Sequence, residues 1–129
     1  MSPDQLPAYL LQLQAALRLA DWDIVCDGDH PLSVDGDDDA QVSFAEHGRA
    51  FLQLAPVFWT YPPAKQRAIL VHELGHIMCR RLCESVEAFE ATTHPKAWRL
   101  WEACWTAAEE AHVEHLSRLL SPTLPLPPG

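Results

Sequence analysis

The first half of the chain has the apolar spacing of one helix and a small sheet. Residues 4–20 carry apolar side chains at helical spacing, and residues 21–28 contain a short segment that favours a strand. In residues 40–56, apolar and polar positions alternate on both sides of a turn at residues 46–49, which predicts a β-hairpin. We therefore expect an N-terminal helix followed by a small antiparallel sheet.

Two long helices are predicted in the second half of the chain. One covers about 63–84 and the other about 96–120, and each follows a proline, which the first turn of a helix tolerates. The last nine residues, 121–129, contain four prolines and predict an extended, non-helical tail. The fold class is therefore α+β, in a single domain over residues 1–129.

Composition supports one folded domain and excludes some classes of partner. Apolar residues make up 48% of the chain, five residues are tryptophan, and the net charge is −9. A nucleic-acid surface requires clustered Lys and Arg, so we expect no nucleic-acid partner. No apolar run approaches the length of a membrane span. Residues 27–40 form an acidic loop that lacks the ligand spacing of an EF-hand, so we interpret it as a solvated loop.

The cysteines and the N-terminal segment bear on the cellular compartment. The first residues lack a basic region and a signal cleavage site, and the four cysteines have no CxxC spacing. We therefore expect reduced thiols and a cytoplasmic protein. Cys79 and Cys83 are four residues apart on one helix face, where packing explains them better than a second metal does.

The segment ILVHELGHIM, residues 69–78, carries the chemistry that the rest of the sequence must explain. On a helix, His72 and His76 project from one face, separated by about 40° of rotation. Both imidazoles can therefore reach one zinc ion, while Glu73 lies beside them and can reach a water on that ion. Because the flanking residues are apolar, unsatisfied polar groups here would be costly, and a bound metal satisfies them.

A catalytic zinc site needs a third protein ligand and an open position. A third histidine of the HExxHxxGxxH type is excluded, because Cys79 and Leu82 stand at the two additional positions that this motif fixes. The remaining candidates are acidic residues and histidines that lie further along the chain: His94, Glu102, Glu109, Glu110, His112, Glu114 and His115.

We prefer Glu110 as the third ligand because it lies on a helix face of small residues. Such a face would let the last helix approach the HExxH helix closely, and it comprises Ala103, Ala107, Glu110, Glu114 and Ser117. Glu114 would then be a carboxylate that orients a ligand histidine. Glu109 is the main competitor as a ligand. His112 and His115 are interpreted as surface residues. A role in stabilising an oxyanion stays open for both of them, and also for Tyr61 and His94.

With these residues in place, the chain resembles gluzincin-type zinc metallopeptidases. Residues 72–76 match the HExxH helix, and Glu110–Glu114 resemble the downstream ExxxD element with Glu in place of Asp. Residues 40–125 resemble small phage- and prophage-type zinc peptidases and, more distantly, the metallopeptidase domain of the ImmA/IrrE family. The resemblance implies a zincin-like minimal domain, one zinc ion, and a protein or peptide substrate. In the ImmA/IrrE family that substrate is often a transcriptional repressor.

The expected activity is metalloendopeptidase hydrolysis. Zinc would lower the pKa of a bound water, Glu73 would accept the water proton, and the strand at about 49–55 would present its edge to an extended substrate. One alternative is a non-catalytic interaction module in which His112 or Cys79 closes the zinc shell. Another is an antagonist that binds a basic protein through the acidic loop. The sequence leaves the oligomeric state open.

Overall fold

A computed structural model describes residues 1–26 and 36–129. Most of the acidic loop predicted at residues 27–40 therefore lies outside the described residues. Within these residues there are three α-helices and three strands: α1 (Leu6–Ala16), β1 (Asp23–Cys26), β2 (Ala40–Ala45), β3 (Arg49–Leu54), α2 (Pro63–Glu87) and α3 (Pro95–Leu120). Short 3-10 turns precede α1, link β3 to α2 and α2 to α3, and follow α3. The predicted α+β class is confirmed.

The sheet is mixed, with strand order β1-β3-β2. Strands β2 and β3 form the predicted antiparallel hairpin, with Ala45 opposite Arg49, and its turn has positive φ at His47 and Gly48. The prediction of an antiparallel sheet is wrong for β1, which pairs in parallel with β3 from Asp23 opposite Arg49. Parallel pairing needs a crossover connection, and the β2 strand is part of that connection here.

The core lies between α1, the inner face of the sheet and the first half of α2. Strand β3 alternates strictly, so that Ala50, Leu52 and Leu54 are buried on one face. They pack with apolar residues of both helices and with Phe58 of the connecting turn. Helix α1 ends earlier than the apolar spacing predicted, because Arg18 adopts a left-handed φ of 59° and Leu19 N–H bonds back to Gln14.

Helices α2 and α3 pack as an antiparallel pair that extends from the core. Ser117 Oγ donates to the carbonyl of Ala68 at 3.1 Å, and a Cβ placed on Gly75 would lie 2.9 Å from Val113 Cγ1. Of the small residues predicted to permit this approach, Ala103 and Ala107 are exposed, whereas Ser117 is buried at the contact. The other small residue at the contact, Gly75, lies on α2.

The proline-rich end of the chain is packed rather than free. Its first residues, Ser121–Thr123, form a 3-10 turn, which corrects the prediction of a wholly extended segment. Pro122 is the second residue of this turn, where a backbone N–H would have no partner within the turn. Beyond it, Tyr9 donates a 2.7 Å hydrogen bond to the Pro125 carbonyl, and Arg67 donates one of 2.7 Å to the Leu124 carbonyl. These bonds tie the tail to α1 and α2.

Candidate metal centre

Helix α2 places both histidines of the HExxH segment on the side that faces α3. Their side chains are about one-fifth exposed, and their ring centroids lie 5.1 Å apart. Neighbouring Leu70, Val71 and Leu74 are buried and fix the helix against the core. The histidine pair therefore stands at the edge of the core on a helix that cannot easily rotate.

Glu110 of α3 lies opposite this pair. One of its carboxylate oxygens is 3.0 Å from His72 Nε2, and the other is 3.3 Å from His76 Nε2. One ligand atom from each of the three residues lies within 4.8 Å of the others, which no other group of three His, Cys, Asp or Glu does in residues 1–26 and 36–129. Two imidazole nitrogens and one carboxylate oxygen are a donor set that suits zinc.

The remaining ring nitrogens are paired with two further carboxylates of α3. His72 Nδ1 lies 3.2 Å from Glu114 Oε2, and His76 Nδ1 lies 3.2 Å from Glu109 Oε1. Arg118 donates to the other oxygen of Glu114 at 2.8 Å, and this hydrogen bond lowers the pKa of the Glu114 carboxyl. Both Nε2 atoms are thereby turned toward the same point, beside Glu110.

Glu73 is buried beside the histidines, with 8% of its surface exposed. Burial raises the pKa of its carboxyl to about 7, and the charge of Glu110 acts in the same direction. The neighbouring His72 and the backbone N–H of Val42, which hydrogen-bonds to the carboxylate, act in the opposite direction. The site thus contains a carboxyl group that can gain or lose a proton near neutral pH.

The centre opens into solvent through two adjoining clefts, of about 570 Å³ and about 240 Å³. Both clefts are lined by His72, Glu73, Asp38 and Ala40, so the candidate site lies where they meet. The smaller cleft runs along β2 and also reaches His76 and Glu110. Both ligand histidines therefore lie at an opening to solvent.

The strand beside the centre is β2 and not β3. Strand β3 lies between β1 and β2, so it has no free edge, and the expectation that residues 49–55 present one to a substrate is wrong. Alternate residues of an antiparallel edge strand point their backbone groups away from the partner strand. Val42 is one of these residues, because its N–H points to Glu73.

The other candidate residues lie away from the convergent atoms. His94 caps the start of α3, where its Nδ1 accepts a 3.2 Å bond from Lys96 N–H, and Tyr61 donates to Asp39 at 2.7 Å. His112 and Cys79 line a separate hollow, so neither is among the ligand atoms that converge with Glu110. His115 and Glu102 are exposed on α3.

Two features of the centre were missed by sequence reasoning. Glu109 was considered only as a competing ligand, whereas it lies at the Nδ1 side of His76. Its alignment with Val113, which made it a candidate ligand, indicates that it faces α2 but not which ring nitrogen it meets. The contact between Val42 and Glu73 has no sequence signal, because it joins a backbone group to a distant helix.

Comparison with protein-family models, with curated proteins and with solved structures finds no match for this chain. The fold and the geometry of its own residues therefore carry the functional argument. Within the described residues, no helix is both long enough and apolar enough to cross a membrane.

Proposed function

We propose that this chain is a zinc-dependent endopeptidase of the gluzincin type, with a minimal zincin-like domain. His72 and His76 would bind one zinc ion through Nε2, and Glu110 would supply the third ligand. The observation that carries the proposal is the convergence of these three groups beside a buried Glu73, in a cleft open to solvent. An open cleft at three ligands is typical of catalytic zinc sites and not of structural ones.

Bound zinc, Glu73 and Glu114 would each have a separate role in the reaction. Bound zinc polarises a carbonyl oxygen and lowers the pKa of water toward neutrality. Glu73 accepts the proton that the attacking water loses and returns it to the leaving amine nitrogen. A carboxyl with its pKa near 7 can do both at neutral pH. Glu114, held by Arg118, accepts the Nδ1 proton of His72 and keeps Nε2 free to bind.

The substrate would be an extended segment of a protein or peptide lying along the outer edge of β2. Such a segment can form backbone hydrogen bonds with an edge strand, which gives affinity without demanding a particular sequence. The smaller cleft follows β2 from Ala40 to Phe44 and ends at the ligand residues. This arrangement would place a peptide carbonyl above His72 and His76.

The proposal extends to the class of substrate and to the cellular compartment. The distant resemblance to the ImmA/IrrE family, in which the substrate is often a transcriptional repressor, makes a regulatory protein a candidate substrate. All four cysteines are free thiols, which supports action in a reducing compartment such as the cytoplasm.

The test is hydrolysis of unfolded casein and of a mixed peptide library, followed by mass spectrometry, with zinc content measured on the same samples. The parent should cleave, Glu73→Gln should retain zinc and lose at least about 100-fold in rate, and His72→Ala should lose zinc. Glu102→Gln, an exposed acid on α3, is the matched control and should behave as the parent. Equal rates for the parent and Glu73→Gln would exclude the role given to Glu73.

A further inference from the structure

We propose that Glu109 is a positioning residue for His76. The inference rests on the proposed metal centre and adds a residue to it that does not bind the ion. Glu110 would bind the metal. Two nearby acids of α3, Glu109 and Glu114, would each orient one of the ligand histidines.

The position of Glu109 on the imidazole separates it from the ligand atoms. Its Oε1 lies 3.2 Å from His76 Nδ1, whereas Glu110 Oε2 lies 3.3 Å from Nε2 of the same ring. The two ring nitrogens point in different directions, so an ion bound at Nε2 is not within reach of the group that pairs with Nδ1. A carboxylate at Nδ1 accepts its proton, fixes the tautomer and makes Nε2 a better donor.

Glu109 lies at the interface of α2 and α3. Its side chain is 22% exposed, against 57% for Glu110. It shares a hollow with Cys79 and Leu82 of α2 and with Trp105, one turn before it on α3. The carboxylate that pairs with Nδ1 is therefore more sheltered than the one that faces Nε2.

The exposed acid Glu102 stands seven residues before Glu109 on the same helix and provides a matched control.

The first test measures zinc affinity by competition with a chromogenic chelator under reducing conditions. Glu109→Gln retains an acceptor oxygen but loses the charge, and should raise the dissociation constant about tenfold. Glu109→Leu loses both and should raise it up to about 100-fold. Glu102→Gln should remain within about twofold of the parent. Affinities of both Glu109 variants equal to that of the parent would overturn the inference.

The second test separates positioning from ligation and from folding. In the cobalt-substituted protein, Glu109→Leu should keep the visible absorption bands of the parent, whereas Glu110→Gln should change them because a ligand is altered. With chelator present, the thermal midpoint of Glu109→Leu should equal or exceed that of the parent, since leucine suits a half-buried helix interface. A changed cobalt spectrum in Glu109→Leu would identify Glu109 as a ligand and contradict the proposal.

The outcomes separate this role from the centre itself. If the parent binds no zinc, the proposed centre fails together with the role of Glu109. If the parent binds zinc and both Glu109 variants match it, only the role of Glu109 fails.

Discussion

Burial of Glu73 destabilises the fold when its carboxyl is charged, although the proposed chemistry requires this carboxyl. A carboxylate at 8% exposure is costly to bury, and its pKa of about 7 expresses that cost. The side chain nevertheless borders both clefts. A group that destabilises the fold when charged, yet lies at an open site, is typical of a catalytic position.

This opposition predicts how the stability of the metal-free protein depends on pH. The unfolded carboxyl titrates near its ordinary value of 4.5 and the folded one at about 7, so the folded state binds the proton more tightly. The free energy of unfolding should therefore decrease between these pH values and be lowest above about pH 7. Glu73→Gln removes the charge and should be more stable than the parent at pH 8 by up to about 3 kcal/mol.

Urea denaturation with chelator and reductant checks this prediction. The difference between Glu73→Gln and the parent should shrink to about 1 kcal/mol at pH 5 and to near zero below about pH 4, where the carboxyl is protonated in the folded and the unfolded state alike. Glu102→Gln, at an exposed position, should show no such dependence on pH. A parent that is as stable as Glu73→Gln at pH 8 would mean that Glu73 is not buried as described.

The residues that sequence reasoning brought together are those fixed by the geometry of one helix. His72, Glu73 and His76 depend only on the periodicity of α2, and α2 places them as that spacing requires. The choice between Glu109 and Glu110 depends on how α3 is rotated against α2. The side chains of Glu109 and Glu110 point in directions about 100° apart around α3. The packing of Val113 against Gly75 sets which of the two faces the Nε2 atoms.

At the scale of elements, the contact between Gly75 and Val113 sets the separation of α2 and α3. A Cβ on Gly75 would lie 2.9 Å from Val113 Cγ1, and Val113 is fully buried and stiff at χ1. Gly75→Ala should therefore destabilise the protein by about 1–3 kcal/mol, despite the better helix propensity of alanine. Because the helices are forced apart, zinc affinity should decrease as well.

A double-mutant cycle measured by denaturation checks this prediction. Val113→Ala alone should destabilise because it leaves a cavity, but added to Gly75→Ala it should cost less than it does alone. The predicted coupling is therefore favourable. Additive effects of the two substitutions would show that the helices do not meet at this pair.

The starts of the two long helices were predicted well, whereas the end of α1 and the strand pairing were predicted less well. Pro63 and Pro95 begin α2 and α3 as expected, because the signal for a helix start is local. The parallel pairing of β1 with β3 joins segments that are distant in sequence, and the alternation of apolar residues does not encode direction. Because the pairing was unknown, the sequence did not show that β2 is an edge strand. The strand proposed to bind substrate is therefore β2 and not β3.

At the scale of the whole molecule, the metal should contribute to stability. His72 and His76 belong to α2 and Glu110 to α3, so an ion bound between them favours the folded state by mass action. At a free zinc concentration of about 100 times the dissociation constant the gain is about 3 kcal/mol, or on the order of 10 °C in thermal midpoint. Adding a chelator should reverse this gain, and scanning fluorimetry measures both.

His72→Ala supplies the control for metal removal. Its thermal midpoint should be the same with zinc and with chelator, because one of the three ligands is missing. A parent whose midpoint does not respond to zinc would contradict binding to the folded state. A similar rise in His72→Ala would place the stabilising ion elsewhere on this acidic chain, which has 18 Asp and Glu residues.

The most direct test of the account is a crystal structure of the zinc-loaded protein. It should show one zinc ion at about 2.0–2.2 Å from Nε2 of His72, Nε2 of His76 and an oxygen of Glu110, with a water or another small ligand in the fourth position. Glu73 should lie next to that position without binding the ion. A zinc ion with four protein ligands, or one bound away from His72 and His76, would contradict the proposed catalytic centre.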